Sequence, residues 1–334
     1  MKQLLLHLLA GRPLDRAEAT EAMRLMLRGQ GTPEQIASAL TLLHARGETV
    51  EEMTGFLEGL REAMIPVPAT SPDLFDTCGT GGDGAQTFNI STAAALVLAA
   101  TGVKVAKHGN RSVSSRCGSA DVIEALGIPL IRDPQAASAR IDGHGFGFLF
   151  APYFHPALAQ VGPIRRGLGV PTVFNFLGPL ANPAPVRRKI LGIYDGTRLG
   201  VFADLLRESG TIAAMVVSAE DGLDEFSLSA PTRVLQLEHG VTCTFTLSPE
   251  DFGLPRAPRE SYSGGDAAEN ARLIERILAG QEQGPRRDIV LMNAGAALVV
   301  AGLVKGPREG VALARQAIDE GRASRVLQRA REAA

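Results

Sequence analysis

The residues able to do chemistry fall in three short stretches. Residues 78–84 read CGTGGDG, with four glycines in six positions and Asp83 among them. Glycine-rich loops turn backbone N–H groups toward an anion. An aspartate there is unfavourable unless a sugar diol or hydrated Mg2+ lies between it and the anion. The second stretch, from Lys107, reads KHGNRSVSSRCGSAD. All of it but the final Asp121 lies in a window from Gly84 to Ala120 that contains no Asp or Glu but holds Lys104, Lys107, Arg111 and Arg116. Ser91 and Thr92 start a helix whose dipole favours anions at that end. The third stretch is AEDGLDEF, where Asp221, Asp224 and Glu225 offer the hard oxygens that Mg2+ takes when it rides on a diphosphate. Singly, each is an ordinary turn or solvated loop. Together they predict a ligand with phosphate, hydroxyls and Mg2+.

Rival motifs fit worse. Gly79, Gly81 and Gly84 match G-x-G-x-x-G, but no acid follows about 20 residues on to hold a ribose diol, and AQTFN separates the glycines from the helix. The chain has no Walker A sequence, no G-x-S-x-G elbow and no H-E-x-x-H.

The elements that must position these stretches follow from the pattern. The first 64 residues read as helices, with capping-box spacing at Asp15/Glu18, Thr32/Gln35 and Thr49/Glu52, and Gly47 stopping the third. PVPATSP, residues 66–72, reads as a linker. The expected division is a helical domain over 1–66, with helices from about 156–185 packing on it, and a large α/β domain over 70–334. In the latter, strands LFDTC, VKVAKH, FGFLF, ILGIY and IAAMVV alternate with helices, including one opened by His155-Pro156. That grammar predicts an α/β fold with a mostly parallel sheet, its ligand at the carboxyl ends of the strands. VLQLE-HG-VTCTF reads as a hairpin, and 266–330 as mostly helical.

The bulk numbers bound the function. The chain has 334 residues, 45% hydrophobic and 21% charged, with a net charge of −2. No basic field exists to hold nucleic acid or an anionic membrane. Cys78, Cys117 and Cys243 read as buried free thiols of a cytoplasmic protein rather than a disulfide or zinc framework. MKQLLLHLL reads as a packed first helix, not a signal peptide or membrane span.

CGTGGDG, TFNIST, KHGNRSVSS, GSAD and NFLGPLANP, in this order, resemble the anthranilate phosphoribosyltransferases of tryptophan biosynthesis over essentially the whole chain. The resemblance implies a helical domain hinged to a large α/β domain, and a homodimer through the former. It implies transfer of 5-phosphoribosyl from phosphoribosyl diphosphate to the amine of anthranilate, with Mg2+. A related pentosyltransferase or nucleoside phosphorylase with another acceptor, and a non-catalytic relative that binds nucleic acid, are the alternatives.

Matched residue by residue, the resemblance puts Gly79, Gly82, Asp83 and Thr87 in the diphosphate and ribose loop, continued by Asn89, Ile90, Ser91 and Thr92. Lys107, the loop His108, Gly109, Asn110, Arg111, Ser112, Val113, Ser114 and Ser115, and Ser119 would hold phosphates. Ser91, Asp224 and Glu225 would bind metal. Gly79, Asn110 and Arg165 would contact anthranilate, with His108, His155 and Pro179 lining its pocket. Lys107 and Arg165 are the expected catalytic pair, and Arg166 a solvated neighbour. Pro171-Thr172 and Lys189 depart from the usual family residues, and neither is expected to touch the site.

Overall fold

The structure is a computed structural model and describes residues 1–112 and 116–332. Four helices open the chain: α1 (Lys2–Leu9), α2 (Arg16–Leu27), α3 (Pro33–Arg46) and α4 (Val50–Glu62). The three capping boxes form as spaced, and Gly47 ends α3 at φ 85°. α1 packs less fully than its apolar run implies. Leu8 is buried, but Leu6 and Leu9 stay 58% and 67% exposed.

The rest alternates. β1 (Phe75–Gly79), α5 (Ile90–Ala99), β2 (Val105–Gly109), α6 (Ser119–Ala125), α7 (Pro134–His144) and β3 (Phe146–Phe150) come first. Then follow α8 (Ala151–Phe154), α9 (Gly162–Leu168), α10 (Val173–Leu177), β4 (Arg188–Gly192), α11 (Leu199–Glu208) and β5 (Ala213–Ala219). The hairpin β6 (Thr232–Glu238) and β7 (Val241–Leu247) leads to α12 (Ala267–Leu278), α13 (Pro285–Val300), α14 (Pro307–Asp319) and α15 (Arg322–Arg331). The hairpin turn is His239-Gly240, both with positive φ, as a two-residue loop between twisted strands requires. One expectation fails locally. His155-Pro156 opens only a 3-10 turn, Pro156–Ala159, because Gly162-Pro163 restarts the chain as α9. Cys243 is also exposed rather than buried, since its strand β7 is the sheet edge.

The seven strands run β3-β2-β1-β4-β5-β6-β7, parallel through β5 and antiparallel in the hairpin. From β1 the order runs outward to β2 and β3 on one side and jumps to β4 on the other. Connections leaving β1 and β4 therefore diverge, which opens a crevice at their carboxyl ends.

Strand alternation splits the sheet into two faces. Phe75, Val105, Ile190 and Met215 enter one core together with α5, α12 and α13. Leu191, Ala214 and Val216 enter another with α2, α4, α10 and α11. α9 and α10 pack on α3 and α4. Among the described residues, two ion pairs join the N-terminal helical region to the sheet side: Arg16 Nη1 of α2 to Glu208 Oε2 at 3.4 Å, and Arg198 Nη1 to Oε2 of Glu48, in the α3–α4 connection, at 3.5 Å. Among the described residues, no helix is long and apolar enough to cross a membrane.

Candidate active site

A cleft of about 270 Å³ opens where the topology places it, at the carboxyl ends of β1, β2 and β4. Its wall is shared by the glycine loop, the start of α5, the basic loop and Asp224-Glu225. The glycine loop is tied to the acidic turn by backbone: Gly81 N donates to Asp224 Oδ2 at 2.9 Å. Ser91 N, one of the orphan amides at the start of α5, donates to Glu225 Oε1 at 3.2 Å. Room for Asp224 exists only because β1 and β4 end in glycine. A Cβ on Gly79 would sit 2.4 Å from Asp224 Oδ2, and one on Gly192 would sit 1.5 Å from the Asp224 carbonyl oxygen.

The electrostatics call for a cation. Burial, then the charge of Asp83, pushes the Asp224 carboxyl up to about 7. Burial, then the charge of Asp224, pushes Glu225 up to about 8. Acids so crowded ionise only if positive charge joins them. Yet among the described residues no three His, Cys, Asp or Glu side chains converge as a ready metal cage. An ion there needs further oxygens from a ligand, which is how Mg2+ is usually held beside phosphates. Asp83 itself accepts from Ala85 N at 3.1 Å, so its turn is built around the carboxylate.

Lys107 and His108 are neighbours in sequence but serve opposite faces. Lys107 is 2% exposed, with Nζ donating to Thr77 O and, at 3.3 Å, to Ser91 Oγ. Burial pulls its ammonium down in pKa, while Asp76, Glu225 and Asp224 act the other way. His108 points across the sheet, its ring centroid 5.2 Å from that of His155. Burial chiefly, with His155 and Lys189 adding, holds His108 well below its ordinary pKa, and burial also lowers His155. Burial therefore favours the neutral form of both rings. His108 Nε2 and His155 Nδ1 have no partner. One side of the cleft thus gathers charge, and the other offers the His108 ring, with His155 behind it, and the Cys78 thiol, which burial raises to about 12.

Residues 2–64 match the glycosyl transferase family helical bundle domain, and residues 71–324 match its a/b domain. The anthranilate phosphoribosyltransferase of Symbiobacterium thermophilum is 50% identical over 332 residues, covering 99% of this chain and 97% of the relative. The chain belongs to the anthranilate phosphoribosyltransferase family. The crystal structure of the Thermus thermophilus member is 44% identical, with a TM-score of 0.92 over 98% of this chain and 97% of that one. The Saccharomyces cerevisiae enzyme in complex with PRPP and Mg is 29% identical, with a TM-score of 0.90 over 98% of this chain and 95% of that one.

Against the residues that the phosphoribosyltransferase resemblance singles out, the cleft wall includes Gly79, Asp83, Thr87, Asn89, Ser91, Thr92, Lys107, His108, Gly109, Asn110, Ser119, Asp224 and Glu225. Thr92 is fully buried, and among the described residues its Oγ1 has no hydrogen-bond partner. Asn89 is spent differently: Nδ2 donates to Cys117 O at 3.2 Å, and Oδ1 accepts from Asn270 Nδ2 at 3.1 Å, tying the start of α5 to the basic loop and to α12.

The remaining described residues do not line the cleft. Ile90 is in the core, and Gly82 lies against the Tyr194 ring. Arg111 spends its charge on Asp121 at 2.9 Å and Glu124 at 2.5 Å. Ser112 N donates to Asp121 Oδ2, as does Gly118 N. Val113, Ser114 and Ser115 lie outside the described residues. Arg165 sits on α9 with its guanidinium 5.1 Å from the Phe174 ring and no acid partner; burial lowers its pKa. Arg166 beside it is exposed. His155 Nε2 pairs with Ala181 O at 2.9 Å, and Pro179 is buried behind Cys78.

Lys189 corrects an expectation. It is 3% exposed, and its Nζ donates to Pro179 O at 2.9 Å, so this departure does touch a matched position. Sequence reasoning also missed Asp76, whose carboxylate accepts from His108 N at 3.2 Å and Asn182 Nδ2 at 2.9 Å. The available signal was a charge inside an apolar strand, in LFDTC and again in RKILG.

Proposed function

We infer that this protein transfers the 5-phosphoribosyl group from 5-phosphoribosyl 1-diphosphate to the amine of anthranilate, as the family's enzymes do. One observation carries the reading: the glycine loop, the start of α5, Lys107 and the Asp224-Glu225 pair share a single cleft. In the reaction the anomeric C1–O bond to diphosphate breaks, a C1–N bond forms, and the amine gives up one proton.

Anthranilate's amine is neutral near pH 7, so the acceptor needs orientation more than deprotonation. The neutral His108 and His155 rings, Cys78 and Asn110 are the groups proposed to receive it, with Arg165 for its carboxylate. Arg165 lacks an acid partner, which leaves its fork free for a bidentate carboxylate contact. The amides of the glycine loop and of α5, Thr87, Thr92 and Ser119 are proposed to hold the phosphates and ribose. Lys107 is proposed to face the departing diphosphate, where fixed positive charge lowers the barrier as negative charge grows.

Asp224, Glu225 and Ser91 are proposed to hold Mg2+, supported by the raised carboxyls. Mg2+ there would neutralise charge on the diphosphate. Mg2+ counterbalance also rationalises Asp83 among phosphate-binding amides. A homodimer through the helical bundle is proposed on the exposed Leu6 and Leu9 of α1, and a cytoplasmic location on the free thiols.

The test is the loss of anthranilate fluorescence on adding 5-phosphoribosyl 1-diphosphate and Mg2+. Signal loss that requires all three components supports the reading. Turnover of a nucleoside with phosphate, and none of anthranilate, would replace it with the nucleoside phosphorylase alternative.

A further inference from the structure

The segment Gly178–Asn182 backs the acceptor side of the cleft, and buried or half-buried side chains take its polar groups one by one. Pro179 O accepts from Lys189 Nζ at 2.9 Å and from Cys78 Sγ at 3.6 Å. Leu180 O accepts from Arg61 Nη2 at 2.9 Å, and Ala181 O pairs with His155 Nε2 at 2.9 Å. Asn182 Nδ2 donates to Asp76 Oδ2 and, at 2.8 Å, to Ala106 O. Two of these holders are cations. Arg61 reaches in from the helical bundle; Lys189 rises from the sheet and is the more deeply buried.

Lys189 is paired in register with Asp76 on β1, so strand alternation puts its side chain on the face that carries Cys78 and His108. Among the described residues it makes no ion pair within 4.0 Å, and its one hydrogen bond goes to Pro179. The Asp76 carboxylate beside it already accepts from His108 N and Asn182 Nδ2; a buried ammonium held without a direct ion pair is costly, and a methionine would fill the same space at less cost. Its return is a fixed Pro179 carbonyl, the point on which the Cys78 thiol also rests. Cys78 and His108 both line the cleft, and His108 lies beside the Gly178 carbonyl.

We propose that Lys189 is a positioning residue for the acceptor. By clamping the Pro179 carbonyl it sets the wall that Cys78 and His108 present to the aromatic amine, while the phosphate half, on the opposite face of the sheet, is untouched. The inference rests on the transfer reaction proposed above.

The test is a steady-state comparison of wild type with Lys189→Met and Lys189→Gln. Lys189→Met removes the donor; Lys189→Gln keeps a donor and drops the charge. Lys189→Met is expected to raise KM for anthranilate about tenfold and to leave KM for the phosphoribosyl donor within about twofold, with Lys189→Gln restoring most of the loss. An unchanged anthranilate KM, a parallel rise in both KM values, or a Gln variant as impaired as the Met variant would overturn the proposal. If Lys189→Met does not fold, Lys189→Ser, too short to reach Pro179 but with room for water, must show the same split. A wild type that fails to turn over anthranilate counts against the transfer reading; a normal wild type with unaffected variants counts against Lys189.

Discussion

Gly81 N donates to Asp224 Oδ2 at 2.9 Å across 143 residues of sequence. That bond joins the glycine loop after β1 to the acidic turn after β5, so the phosphate amides and the metal acids form one unit. The two glycines behind Asp224 make this contact possible, and they differ in what they protect. Gly192→Ala drives a methyl onto the Asp224 backbone, which cannot step aside. It should cost about 3 kcal/mol, the upper end of the usual overpacking range, seen as a large drop in the urea midpoint. Gly79→Ala meets only the Asp224 carboxylate, which can swing away. That variant should fold with a near-normal midpoint but need more Mg2+ for activity. Equal urea midpoints for the two variants would contradict this account.

The buried acids also set a pH dependence. In the metal-free protein, Asp224 at about 7 and Glu225 at about 8 keep protons that the unfolded chain, with carboxyls near about 4, has released. The native state therefore binds more protons between about pH 4 and 8, and stability falls as pH rises across that window. In EDTA, Tm should drop from pH 6 to pH 8.5, and Mg2+ with diphosphate should recover it. Asp224→Asn with Glu225→Gln should flatten the dependence, and a slope identical to wild type would argue against the cluster as its source.

Lys107→Met tests the leaving-group side. The variant keeps the volume but removes the cation beside Thr77 and Ser91. A fall in kcat of about 10²- to 10³-fold is expected, with KM for anthranilate nearly constant. Near-wild-type kcat would remove Lys107 from the chemistry.

Arg165→Ala tests the acceptor side. The guanidinium has no acid partner and stacks on Phe174. Its loss should raise KM for anthranilate by about tenfold or more, and leave that for 5-phosphoribosyl 1-diphosphate unchanged. Anthranilamide, which lacks the carboxylate, should be used equally by variant and wild type. A variant that discriminates against both acceptors would point to a packing role instead.

Much of the fold was legible because local signals agree with tertiary structure. The capping acids at Glu18 and Glu52 and the paired Thr32/Gln35 formed as spaced, and the β–α alternation gave the parallel sheet. The helix expected at His155 was not readable, since Gly162-Pro163 outweighs the apolar pattern only once α9 docks on α3. In the site, the glycine and basic loops announced themselves through composition. The fate of individual side chains did not. Arg111 looks like a phosphate ligand until Asp121 and Glu124 of the following helix take its charge. Asp76 and Asn182 meet behind the cleft across 106 residues of sequence, and Lys189 reaches Pro179 only because β4 runs beside β1, which no spacing rule captures.

The central claim is that one sugar–diphosphate spans the glycine loop and Lys107, bridged by a cation at the acidic pair. Crystals grown with 5-phosphoribosyl 1-diphosphate and Mn2+ in place of Mg2+ test it most directly, since Mn2+ scatters anomalously. The account predicts an anomalous peak within coordinating distance of Glu225, and diphosphate density in contact with both the Gly79–Gly84 loop and Lys107. A diphosphate bound away from either element, or an ion that ignores Asp224 and Glu225, would contradict it.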